Sequence, residues 1–341
     1  MRNTITMIVL VTLAMNVSAT VWRVNNMPGV NASFTTIQAA HNANYVYAGD
    51  TIYLEASSGT YGNLTATKRL VIIGAGYFLI ENPNLQANNN RSIIGIITLN
   101  AGSQGTIIEG CSIEQIHINT SDLIIQRNIF NEWVRNSGII DFVTNNISNI
   151  MIRNNYFDNI LNAYGGSVIY SNAVGINNVR IIGNFIKMSF PHTDRPAINI
   201  NNGFSGIIEN NVISGNVKIY GAQFNNNILR EGTFTPTNST YNNNIGNTTQ
   251  FGTTNGNLQN INMITVFVGP TGYSTDGQWQ LKTGSPAIGA GVGGVDCGMF
   301  GGAFPYVLSG LPGIPSIYFH EQDIDNVNQQ LNISIKAKSN N

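Results

Sequence analysis

The stretch SFPHTDRPAI, residues 189–198, sets an imidazole, a carboxylate and a guanidinium almost side by side: His192, Asp194 and Arg195. An imidazole titrates near neutrality, and a neighbouring acid and cation can tune it for proton transfer. The trio therefore has three readings. It is a catalytic acid–base group, a contact for sugar hydroxyls or carboxylates, or a solvated loop in which Asp194 and Arg195 pair locally for little gain. The remaining carboxylates point to less. Glu109, Glu114 and Asp122 are too sparse along the chain to gather the six to eight oxygens that Ca²⁺ takes. No metal or other cofactor is expected, with Ca²⁺ a minor possibility. A second set of residues suits binding. Trp133, Tyr164, Tyr170 and Phe190 accompany Arg135, Asp141 and Asp158. Aromatic faces beside amides and a few charges are what sugar rings and hydroxyls require. The substrate-binding candidates are thus Trp133, Tyr164, Tyr170, His192 and Arg195, unless the aromatics merely cover the protein's side.

Such residues need a scaffold, and the chain repeats itself. LIIQRNIF (123–130), IMIRNNYF (150–157), VRIIGNFI (179–186) and GIIENNVI (206–213) are followed by the looser AQFNNNIL (222–229) and STYNNNIG (239–246). They align on Asn128, Asn155, Asn184, Asn211, Asn227 and Asn244. Three positions earlier stand Ile125, Ile152, Ile181, Ile208, Phe224 and Tyr241. Two positions later stand Phe130, Phe157, Ile186, Ile213, Leu229 and Gly246. Alternating apolar positions around a fixed bend describe strands with one buried face. The same residue recurring at the same bend implies layers stacked on one another, so the asparagines are expected to form an inward ladder. Asparagine tolerates the left-handed bend, and stacked amides satisfy one another where a lone buried amide would cost a few kcal/mol. TIIEGCSI (106–113) is an earlier copy with Cys111 in the asparagine's place.

The copies are widely spaced in the first half and closely spaced later. The spans 131–149, 158–178 and 187–205 therefore read as insertions from three successive layers, building one lateral face. Arg153 and Glu209 fall in one outward column, two layers apart, too far for direct pairing at about 4.8 Å per layer. The same spacing separates Cys111 from Cys297, whereas a disulfide needs Cα atoms within about 7 Å. Two buried free thiols are expected.

The composition agrees with an exported repeat protein. Of 341 residues only 10% are charged, 36 are glycine, and net charge is -1, which gives no footprint for nucleic acid or anionic lipid. Residues 1–19 read as a signal peptide: Arg2, then an apolar run over 5–15, then Val17, Ser18 and Ala19. The run is too short to span a bilayer. A secreted, periplasmic or surface location follows. The chain divides into 1–19, a β domain over 20–311 that begins with a helical cap (FTTIQAAHNAN, 34–44), and a strand-pair tail over 312–341. The tail covers the far end of the stack or leads to an anchor. VIIGAG (71–76) has a nucleotide-loop look, but Leu79 stands where a third glycine belongs and no helical pattern follows.

TIQAA, GDTIYL, GTY and KRLVIIG, followed by the IRNNYF-type copies, resemble right-handed parallel β-helix proteins of the pectate-lyase-like superfamily over roughly residues 33–250. GSPAIGAG (284–291) with DCGMFGG (296–302) resembles the closing segment of secreted bacterial members. PYVLSGLPGIPSIY (305–318) resembles the ending of a subgroup from Gram-negative bacteria. The resemblance implies an all-β, single-stranded right-handed parallel β-helix with an N-terminal helical cap and a C-terminal hairpin. It says little about activity, since that fold hosts lyases, hydrolases, adhesins and inert scaffolds. Lyases of the superfamily gather carboxylates around Ca²⁺ beside a basic residue, and hydrolases use paired aspartates. This chain has no Asp-Asp pair, Gly-His-Gly or Asn-Thr-Asp, and DRP (194–196) only echoes the lyase Arg-x-Pro. Gly289 replaces an acidic residue found in many relatives. The expectation is a polysaccharide- or cell-surface-glycan-binding protein. The rivals are a divergent lyase or glycosidase and a structural adhesin or assembly subunit.

Overall fold

The computed structural model describes residues 19–131, 138–159, 166–188, 196–325 and 327–340. Among them, ten parallel strands form one sheet, in the order Val21–Val24, Thr51–Leu54, Val71–Ile73, Ile107–Glu109, Leu123–Gln126, Ser148–Arg153, Ile176–Ile182, Phe204–Glu209, Ala222–Asn225 and Thr240–Asn242. From Thr51–Leu54 onward the chain crosses between successive members to a second, 14-stranded sheet, so each pass through both sheets adds one layer to a stack. The fold is all-β with long parallel sheets, compatible with a β-helix. The helix Ile37–Asn42 packs beside the first strands with Ile37, Ala40 and His41 buried, and Thr36 caps it by accepting from the Ala39 amide.

The columns expected from the repeat are register partners. Ile125, Ile152, Ile181, Ile208, Phe224 and Tyr241 pair in sequence across the ten-stranded sheet. Phe130, Phe157, Ile186, Ile213, Leu229 and Gly246 do so across the other. The first five of each column are fully buried. Phe130 and Phe157 stack with ring centroids 4.6 Å apart.

The asparagines between these columns form a continuous ladder. Asn155 is representative: its backbone N–H and its Nδ2 both donate to Oδ1 of Asn184, at 2.9 and 3.1 Å. The same Nδ2 donates to the Ile125 carbonyl of the preceding layer at 2.9 Å. Asn128, Asn184, Asn211, Asn227 and Asn244 repeat this pattern. The ladder ends on Asn257 and starts at Cys111, whose N–H donates to Asn128 Oδ1. One expectation needs correcting: the ladder asparagine does not make the left-handed bend. The residue before it does: Gly110, Arg127, Asn154, Gly183, Asn210, Asn226, Asn243 and Gly256 all have positive φ. Glycine and asparagine tolerate that region best. The doubled asparagine of IRNNYF therefore has two jobs, a turn and a rung.

The residue after each rung also has a job the repeat analysis missed. Ile129, Tyr156, Phe185, Val212, Ile228 and Ile245 point away from the first core yet are buried, forming a second cluster with Val266, Phe267, Ala287, Cys297, Met299 and Tyr306. The chain from residue 290 onward returns along this flank from late layers to early ones. The outward asparagines hold it. Asn243 donates to the Ala290 carbonyl, Asn210 to that of Asp296 and Asn154 to that of Phe304, while the Val292 amide donates to Asn226 Oδ1. Farther on, the Tyr77 amide donates to the Ser309 carbonyl and Arg127 to that of Leu311. Buried Asp276 anchors the strap, accepting from the Ser309 amide, Ser274 Oγ and Asn82 Nδ2. Its carboxyl is pushed above the usual range by burial, against the pull of these donors.

The tail is an antiparallel hairpin, Ser316–Asp325 with Gln330–Lys338. It does not cover the far end of the stack. Its bonds run to the early segment around residues 84–87, from the Ala87 amide to the Ile317 carbonyl, from Ser316 Oγ to Leu85 and from Lys338 to Asn84. Both cysteines are free and buried, as the layer spacing requires.

Candidate functional site

The 14-stranded sheet forks. Ser112–Ile118 is one seven-residue strand whose start pairs with Ile129–Phe130 and whose end pairs with Gly138–Phe142. In that next layer the strand is broken in two, and the break recurs between Tyr156–Asn159 and Ser167–Ser171 and between Phe185–Met188 and Ile198–Ile200. In the two layers after that, the gap shrinks to two residues, Gly215–Asn216 and Gly232–Thr233, with both glycines at positive φ. The strand is thus interrupted at one position in three consecutive layers, by 132–137, 160–165 and 189–195, which lie outside the described residues.

This corrects the extent of the insertions. Most of 138–142, 167–171 and 198–200 is core strand, burying Ile140, Phe142, Ile169, Ile198 and Ile200. These strands continue into Val217–Tyr220 and Phe234–Thr237 of later layers. Alternation inside an apparent insertion was the available signal. Trp133, Arg135, Tyr164, Phe190, His192, Asp194 and Arg195 lie outside the described residues. Tyr170 is placed, half-buried on Ser167–Ser171.

Tyr170 belongs to an outward column that the sequence did not assemble. Thr98, His117, Asp141, Tyr170, Asn199, Lys218 and Thr235 are successive register partners. His117 Nδ1 stands 3.7 Å from Asp141 Oδ2. Among the described residues, Asn199 Oδ1 and Asn131 Oδ1 are buried without a hydrogen-bond partner. On the opposite side of the break, Asp158 and Lys187 of adjacent layers pair at 2.9 Å. A strip of acids, bases, amides and one tyrosine therefore borders the interruption on both sides. His117, Lys187 and Asn199 were missed because only register, not local sequence, makes them neighbours of Asp141, Asp158 and Tyr170.

The other candidates are dispersed. Glu109 accepts from Gln126, and Asp122 accepts from Asn149 on a different face. Among the described residues no group of three or more His, Cys, Asp or Glu side chains could hold a metal ion. Arg153 and Glu209 do not pair, and each bonds elsewhere, Arg153 to Gln126 and Glu209 to Arg180. Among the described residues no helix is long and apolar enough to cross a membrane.

Fold and site together define a class, an all-β protein of long parallel sheets in which one strand is interrupted in three consecutive layers. The chain matches no family model, and no curated protein matches it.

Proposed function

We propose that this is an exported right-handed parallel β-helix protein of the pectate-lyase-like kind, capped by the helix Ile37–Asn42, whose loop-bearing flank binds polysaccharide. The hand follows from the physics of parallel crossovers, nearly all of which are right-handed. The observation that carries the binding reading is the fork: one strand is opened by a loop in three consecutive layers, with Asp141, Tyr170 and Asn199 stacked along its edge. A row of polar groups and an aromatic at regular layer spacing suits an extended, repeating, hydroxyl-rich chain. Trp133 is the stacking platform and Arg195 the charged donor in this reading.

Retention on a panel of plant, algal and bacterial polysaccharides, followed by titration calorimetry, tests it. Trp133→Ala and Tyr170→Ala are each expected to weaken binding by about 1–3 kcal/mol while leaving the melting curve unchanged. Failure of every polysaccharide to bind, or full affinity in both variants, removes the reading. The His117–Asp141 pair favours a second one, a lyase or glycosidase in which the carboxylate orients the imidazole for proton transfer. Release of unsaturated products from uronate polymers (a lyase), or of new reducing ends without unsaturation (a glycosidase), abolished in His117→Ala, would establish it.

A further inference from the structure

Arg230 and Lys282 line a pocket of about 370 Å³ whose wall is Met263, Phe267 and Trp279. The strap builds this wall, and the strand Ile228–Glu231 supplies the arginine. Trp279 is held firmly. Its ring stacks on Phe185 with centroids 4.7 Å apart, Phe267 meets it edge-on at 5.4 Å, and its Nε1 donates to Tyr156 at 3.2 Å. The Arg230 guanidinium lies 4.3 Å over the Trp279 ring and donates through Nη1 to Ser214 Oγ at 2.7 Å. Its Nε is buried and, among the described residues, has no hydrogen-bond partner. Among the described residues no carboxylate lies within 4 Å of Arg230 or Lys282. The Glu231 carboxylate next in sequence offsets part of the charge without pairing with it, so a half-buried guanidinium with no ion-pair partner and an unused donor remains costly unless something fills the site. Burial also weakens the guanidinium's hold on its proton, which marks the same cost.

We infer that this pocket is a binding site for an oxyanion, carboxylate or sulfate ester, carried on a ring-sized apolar body. The oxyanion meets the Arg230 guanidinium and the Lys282 ammonium, and the ring lies against Phe267 and the edge of Trp279, whose faces Phe185 and Arg230 already cover. Guanidinium groups take planar oxyanions through two parallel donors, and a stacked, pre-positioned arginine loses little freedom in doing so. The volume suits one ring rather than a polymer. The inference is independent of the polysaccharide reading, since it uses Arg230 of the sheet and residues of the strap and none of the residues assigned to polysaccharide.

Calorimetric titration of the full chain with phenyl sulfate, benzoate and glucuronate tests it, with phenol and glucose as neutral counterparts and inorganic sulfate as the bare anion. At least one ring-bearing anion is expected to bind, and neither neutral probe. Preference for phenyl sulfate or for the two carboxylates tells which oxyanion the site takes. Arg230→Met and Lys282→Met should each weaken binding by about tenfold or more, and added salt should weaken it further. If Arg230→Met does not fold, Lys282→Met alone decides. Equal binding of phenol and phenyl sulfate, parental affinity in Lys282→Met, or no binding by any anionic probe overturns the assignment.

Discussion

Each ladder asparagine satisfies backbone groups on both sides of itself, so its loss strands partners it never touches in sequence. Asn155→Leu orphans the Asn128 N–H and the Ile125 carbonyl inside a fully buried column. Denaturant unfolding should register a loss of about 3 kcal/mol, since each unsatisfied buried group costs about 1–3 kcal/mol. Asn88→Leu, at an exposed position, should stay within about 0.5 kcal/mol. The cysteines give a second residue-scale test. Burial pushes the Cys111 thiol far up and the Cys297 thiol up to about 12. Only thiolates react, so a thiol reagent should label neither in the native protein and both after unfolding. Six rungs and their flanking columns were legible because all of them carry the same letter at the same offset. Asn257 was not, because Thr254 stands where the apolar flank should be, and the left-handed residue was assigned one position late.

Among elements, the first strand and the strap respond to acid in opposite senses. Asp50 is buried, which alone would raise its pKa, but the amides of Thr20 and Tyr47 and the Trp22 indole donate to it and hold it below the usual range. A depressed carboxyl stabilises the fold above its unfolded pKa, and that contribution is lost as pH falls through the folded value. Asp276 is raised, so the folded form holds the proton more tightly and the strap is weakened as pH rises through the folded value. The Trp22 indole N–H resonance should therefore stay constant through mild acid and shift only below the ordinary aspartate range. A shift at higher pH would show that Asp50 is not depressed. The strap was legible in one respect: both positions after each rung are apolar, as IF, YF, FI, VI and IL, and a strand with one wet face has no use for that. Its path could not be read, because the outward asparagines that hold it bind backbone carbonyls, which any sequence supplies.

For the whole molecule, the stack and its strap carry the stability and the hairpin does not. Ile324, Leu331, Ile333 and Ile335 are exposed, and few bonds tie the hairpin down. Removing residues 318–340 should leave the melting temperature within about 2 °C. Chelator should likewise leave it unchanged, and a fall of several degrees would reveal a bound metal. Of the candidate site, the sequence located the three layers that bear loops but not its polar edges. Loop length is visible along a chain, whereas His117 beside Asp141, or Asp158 beside Lys187, exists only once layers are in register.

The ladder also sets the rules for change. From rung to rung the chain spends anywhere between 13 and 29 residues, yet every rung keeps the same bonds. The amides thus act as a reading frame for insertion. Residues added at a corner leave the frame intact, one residue added within a strand breaks it, and a whole layer duplicates cleanly if it brings its own asparagine. Recognition can diversify at the corners while the frame beneath stays constant.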